Sequence, residues 1–325
     1  MAFNSRHPLV RALLSLGLVL AVGALFNADG TFFQWDTHRD MLRQVSVYGI
    51  LACGMTLVVI AGGIDLAVGS LLGLCAVVFS LFSIQRGIPD PLTIAATLLL
   101  GTALGMGTGG IIARFRVQPF IATLAMMVFA RGLAKLVSGG QKISTAVLNA
   151  DGTYQYVEVP RIFDLLSARI LSDNIAVVTL IFLGCVVLWW ILLVYTPWGR
   201  EIYAVGGNEE AAGFAGIPVG RVKVLAYGLC GLFCAVAGIC QAAQELQGDP
   251  EAGATYELSA IAMVVIGGTS LSGGRGSIGL TLLGVLIIGN LEKILSINAV
   301  GEETRLVLTG LIILAAVLLQ KREQT

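Results

Sequence analysis

Across residues 45–84 the chain carries one charge, Asp65. At 1.5 Å per residue such a run is roughly 60 Å of helix, about twice the hydrocarbon core of a bilayer. It must therefore be two spans that turn round near Gly62-Gly63, inside Ala61-Gly62-Gly63-Ile64-Asp65-Leu66-Ala67-Val68-Gly69-Ser70. A carboxylate at membrane depth costs on the order of 2.5–3.5 kcal/mol on insertion scales. Backbone freed by a Gly-Gly break also needs partners there. A chain that keeps both builds a polar site between helices, which points to transport.

The rest of the sequence has the same character. Of 325 residues 56% are hydrophobic and 12% charged, and mean hydropathy is +0.87. Soluble domains carry about 25% charged residues, so this is a polytopic membrane protein. Twenty basic residues balance twenty acidic ones, which argues against a nucleic-acid partner. Cys53, Cys75, Cys185, Cys230, Cys234 and Cys240 lie in apolar stretches and read as packing residues. His7 and His38 are too far apart in sequence to suggest a metal site, and none is expected.

The apolar segments predict an all-α chain of about ten transmembrane helices forming one transmembrane domain. They fall at about 9–26, 44–62, 66–84, 91–113, 118–137, 174–194, 224–246, 257–270, 277–296 and 304–319. The first has basic residues before it, as a signal peptide does, but it is span-length and no clear small-x-small site follows, so it reads as retained. Residues 138–173 form the longest loop, with an amphipathic patch at 161–171 that suits an interfacial or an ordinary surface helix. Arg6 and Arg11 near the start and Lys321-Arg322 near the end favour both termini in the cytoplasm, which makes 138–173 periplasmic and 195–223 cytoplasmic. Acidic residues, among them Asp249, Glu251, Glu257, Glu302 and Glu303, gather on the opposite side.

A weak echo links the two halves. Val58-Val59-Ile60-Ala61-Gly62-Gly63 resembles Val264-Val265-Ile266-Gly267-Gly268, and a Leu-x-x-Gly follows each. Paired broken spans mark substrate paths in transporters, with chance similarity of Gly/Val-rich sequence as the competing explanation.

Between spans six and seven, Asn208 is a good N-cap and Glu209 and Glu210 occupy the first turn, where the helix dipole favours anions. Gly216 suits the helix end and Pro218 prevents continuation, so a two-turn helix is predicted over 208–217. The loop Gly267-Gly268-Thr269-Ser270-Leu271-Ser272-Gly273-Gly274-Arg275-Gly276-Ser277 is Gly-rich and hydroxylated but lacks phosphate-loop spacing. Gly105-x-Gly107-x-x-Gly110 lies within a span and reads as close helix packing. No nucleotide site is expected on this chain.

The 62–69 segment, the Gly207-Asn208-Glu209-Glu210-Ala211-Ala212…Gly216-Ile217 helix and the 267–276 loop together resemble the permease subunit of bacterial ABC importers for monosaccharides. The likeness extends over about residues 10–319. It implies two permease copies, identical or paralogous, two ATPase subunits that carry the ATP and Mg, and a periplasmic sugar-binding protein, in the bacterial inner membrane. It implies that Asn208, Glu209, Glu210, Ala211, Ala212, Gly216 and Ile217 form a coupling helix, with Glu209, Ala212 and Gly216 facing the ATPase. Asp65 with Gly62 and Gly63 would line or support the pathway, and Asp249, Pro250 and Glu251 would face the binding protein. Gly267, Gly268, Thr269, Ser270, Ser272 and Asn290 are candidates for the rest of the path, because neutral sugars need hydroxyl and amide groups; helix packing accounts for them equally well. A branched-chain amino-acid permease is the alternative of the same class. A secondary carrier, with Asp65 moving an ion, has no use for a capped cytoplasmic helix, and a membrane enzyme lacks a nucleophile–base pair.

Overall fold

A computed structural model describes residues 8–148, 153–301, 303–308 and 310–311. Among these, eight helices are long and apolar enough to cross a membrane. They include α1 (Pro8–Leu25), α2 (Trp35–Ile60), α3 (Val68–Ser80, widened into a π turn at Leu81–Gln85), α4 (Asp90–Phe115) and α5 (Pro119–Ser138). A short α6 (Arg161–Ser167) precedes α7 (Val177–Tyr195). Next come α8 (Pro197–Gly207), α9 (Glu209–Phe214) and α10 (Val219–Glu245). A shorter apolar helix, α11 (Tyr256–Gly267), leads to α12 (Ile278–Ile297). Residues 303–308 and 310–311 are helical; the rest of the predicted segment 304–319 lies outside the described residues, as do Arg6, His7, Glu302, Lys321 and Arg322.

Extended pairing is confined to short antiparallel ladders. One joins Ile143–Ser144 to Gln247–Gly248 and so pins the start of the long loop to the segment after α10.

The centre of the molecule is α10, packed along α4, α2 and α3. Its crossing with α4 is close because the crossing residues lack side chains. A Cβ on Gly105 would lie 2.3 Å from the Tyr227 carbonyl oxygen, and one on Gly101 2.5 Å from that of Gly231. The close-packed glycines are Gly101, Gly105 and Gly109, four residues apart; of the Gly105, Gly107 and Gly110 pattern only Gly105 packs, and the other two face open space. The cysteines are buried and unpaired with one another.

The helices leave two polar faces. On one, Lys142 pairs with Asp249 at 2.9 Å, Trp35 Nε1 donates to Asn174 Oδ1 at 2.8 Å, and Asn298 Nδ2 donates to the Phe26 carbonyl at 2.8 Å. We call it the loop face. The other carries α8, α9, the α4–α5 turn and the 268–277 loop.

Candidate functional site: a glycine junction beneath a capped helix pair

The first break begins where α2 runs out at Ile60. Gly62, at φ +81°, sends its N–H to the Val59 carbonyl at 3.0 Å, and Gly63 donates to Val58 at 2.8 Å. These two bonds form a Schellman cap, which needs a left-handed residue, here glycine. Asp65 then closes the turn: Oδ1 accepts from the Ala67 N–H at 2.9 Å, and the Cys230 thiol is a second partner. The carboxylate is 1% exposed.

The second break repeats the first bond for bond. Gly268, at φ +111°, donates to Val265 at 2.9 Å, and Thr269 donates to Val264 at 3.1 Å. Val58, Val59, Gly62 and Gly63 thus correspond to Val264, Val265, Gly268 and Thr269, so the sequence echo is an echo of geometry.

The two breaks also touch. The Gly274 N–H donates to the Ile60 carbonyl at 2.9 Å, and a Cβ on Gly273 would sit 2.8 Å from Gly62 Cα. The amides of Gly273 and Ser270 are spent inside the loop, on Ser270 and Arg275 carbonyls. These amides close the loop and join it to α2, rather than forming a cradle for an anion.

A third element enters the same junction. Helix α8 fell inside the sequence stretch read as loop. Its local signals were Thr196 and Pro197, an N-cap followed by proline at the first helical position. Thr196 Oγ1 accepts from the Gly199 N–H at 3.1 Å. Gly206 near its end lies so close to α2 that a Cβ would come 1.7 Å from the Ile60 oxygen and 2.7 Å from the Gly274 nitrogen. Tyr203 Oη donates to the Gly276 carbonyl at 2.9 Å.

Asn208 both ends α8 and starts α9. Its N–H donates to Ala204 at 3.1 Å and its Oδ1 accepts from the Ala211 N–H at 2.9 Å. Helix α9 spans six residues, shorter than the predicted 208–217. A Schellman cap ends it, with Gly216 at φ +83° donating to Gly213 and Ile217 donating to Ala212, both at 3.0 Å. The structure corrects the orientation expected for Ala212, while Glu209 and Gly216 stay exposed. Ala212 is 4% exposed and packs inward, with Ile217 part of the same cluster. Glu209 is tied to Lys223 of α10 at 2.6 Å. The outward surface runs from Glu209, Glu210 and Ala211 through Gly213 and Phe214 to Gly216, with Phe214 85% exposed. Phe214 escaped the sequence reading because a lone aromatic beside membrane spans looks like one more apolar residue.

Other candidates are placed as follows. Thr269 is buried, and Asn290 is buried with Nδ2 donating to Leu286 within its own helix at 2.8 Å. Asn290 lies about 18 Å along α12 from the loop, so it does not join the junction. Ser270 is half-buried and its Oγ accepts from the Ser272 N–H at 3.3 Å. On the loop face, Pro250 is buried rather than outward-facing, and its carbonyl accepts from Arg131. Burial alone would raise the Asp249 carboxyl, but the Glu251 amide and Lys142 hold it below the ordinary carboxylate value. Glu251 is exposed and paired with Lys135.

Broken apolar helices whose stops meet, with a polar helix pair mounted on them, define a polytopic membrane transport component. The chain belongs to the family described as the permease component of the branched-chain amino acid transport system, which it matches over residues 39–317. It is similar to the ribose import permease protein RbsC of Escherichia coli K12, at 38% identity over 95% of this chain and 93% of the relative. The RbsC of Bacillus subtilis is 40% identical over 95% of this chain and 92% of its own length. The xylose transport system permease protein XylH of Escherichia coli K12 is 31% identical over 93% and 89%. No solved structure matches the chain.

Proposed function

We propose that this chain is the permease subunit of an ATP-driven importer that moves a monosaccharide of the ribose type across the bacterial inner membrane. It works with a second permease copy, with ATPase subunits docked on the α8–α9 face, and with a periplasmic sugar-binding protein on the loop face. ATP and Mg belong to the ATPase. Both termini are then cytoplasmic.

The observation that carries the reading is the mounting of α9. Its outward surface ends in an exposed Phe214, and its other end continues through Asn208 into α8, which rests on both helix breaks. A partner that moves α9 therefore moves the junction of the two half-chains. Buried aromatic anchors dominate protein interfaces, and an unpartnered phenylalanine outside the membrane suits that use. The sugar class rests on the relatives named for ribose and xylose import, which cover nearly the whole chain.

The test is uptake of labelled sugar by proteoliposomes that hold the permease with its ATPase and binding protein. ATP-dependent entry of an aldopentose is expected. ATP-dependent entry of leucine without any sugar would shift the reading to the branched-chain amino-acid alternative.

A further inference from the structure

A cavity of about 430 Å³ lies between α3, α5 and the start of α11, lined by Ser70, Met127, Val128, Arg131, Thr255 and Glu257. Its volume is that of a small-molecule site. The cavity is at membrane depth. Arg131 stands twelve residues into α5, about 18 Å from the α8–α9 face of a core about 30 Å thick. Tyr256, at the start of α11, stacks on Tyr48 near the middle of α2, with ring centroids 4.2 Å apart. Residues 249–255 thus descend from the loop face into the membrane before α11 begins.

Three groups in this cavity lack a full complement of partners. Ser70 is 3% exposed, lines the cavity, and its hydroxyl has no hydrogen-bond partner among the described residues. Arg131 uses Nη1 on the Pro250 and Ala252 carbonyls, which leaves the rest of its guanidinium fork. Glu257 is half-buried in the first turn of α11, and among the described residues no cation lies within ion-pair distance of it. The close approach is built in: a Cβ on Gly69 would lie 2.7 Å from Glu257 Oε2 and 2.0 Å from the Gly253 oxygen. Ionisable groups at this depth are costly and mark a solute path.

We propose that this cavity is a transit site in which Glu257 accepts hydrogen bonds from hydroxyls of a neutral monosaccharide, while Arg131 and Ser70 bond its oxygens. Arg131 is balanced by Glu257, and Lys135, which also lines the cavity, is already paired with Glu251, so no charge is left over and a neutral polyol is favoured over an ion. Met127 and Val128 give the C–H face of the ring an apolar wall. The choice of a sugar rests on the function proposed above.

The test uses the complete importer in proteoliposomes, with Ser70→Ala and Glu257→Gln. We expect uptake to fall about fivefold in Ser70→Ala, the scale of one net hydrogen bond, and further in Glu257→Gln. The sugar-loaded binding protein should still stimulate ATP hydrolysis in both. Wild-type uptake in both variants overturns the transit site. Absence of sugar uptake by the wild type overturns the function instead. Should both variants lose ATPase stimulation as well, Ser70→Cys decides. Labelling of that thiol slowed by millimolar ribose sustains the site, and labelling at the same rate with or without ribose overturns it.

Discussion

At the scale of single residues, Asp65 is placed to hold a helix break together. Its Oδ1 bonds a backbone amide that the break would otherwise leave open. Asparagine keeps that acceptor and leucine does not. Asp65→Asn is therefore expected to retain part of the transport activity, and Asp65→Leu to lose most of it with about 1–3 kcal/mol of stability. Uptake assays and thermal unfolding of the purified variants check this; transport without ATP that follows a pH gradient and vanishes in Asp65→Asn would make it an ion carrier. The break beside Asp65 was legible because glycines and an acid in one short segment leave few physical solutions. The direction of Ala212 was not. An alanine in a six-residue helix reads neither as core nor as surface, and its side is set by the cap at Gly216 and the tie from Glu209 to Lys223. A bulky residue at 212 is consequently expected to displace α9 itself, because Ala212 is buried against the helices beneath it.

At the scale of elements, α8 and α9 form one lever. Two neighbouring glycines give a controlled comparison. A Cβ at Gly206 collides with the Ile60 oxygen, whereas one at Gly207 meets nothing within 4 Å. Gly206→Ala should uncouple ATP hydrolysis from uptake or destabilise the junction, and Gly207→Ala should leave both near wild type; coupled ATPase and uptake assays distinguish the two. At the other end, Phe214→Ala should weaken ATPase association by about 2 kcal/mol, roughly thirtyfold, measured by binding of the ATPase to the permease in nanodiscs. Hydropathy located the long helices because each buries or exposes some twenty apolar residues. It missed α8, whose half-apolar pattern resembles a connecting loop. It also missed the descent of residues 249–255, because polarity alone suggests an outside turn, while the chain satisfies it with Arg131, Lys142 and the turn closed by Asp249.

At the scale of the whole molecule, orientation is open to direct measurement. A cysteine replacing Glu210 should react only with reagents admitted to the cytoplasmic side, and one replacing the exposed Gln141 only from the periplasm. Reaction of both from one side would dismantle the two-face arrangement. The echo between the halves was visible in sequence as a similarity of letters, but its meaning needed coordinates. The bond from Gly274 to Ile60 and the approach of Gly273 to Gly62 show that the breaks are mated rather than merely alike.

Asn208 gives its N–H to one helix and its carbonyl and side chain to the next, so the joint between α8 and α9 has almost no slack. A stiff linkage transmits displacement faithfully, and it also cannot comply. On the function proposed above, an ATPase whose socket is rotated by part of a helical turn would find no bending here to meet it, so the joint would gauge fit as well as drive motion. Exchange of ATPases between related importers should therefore fail when residues 197–217 stay in place and recover when that stretch is exchanged as one unit.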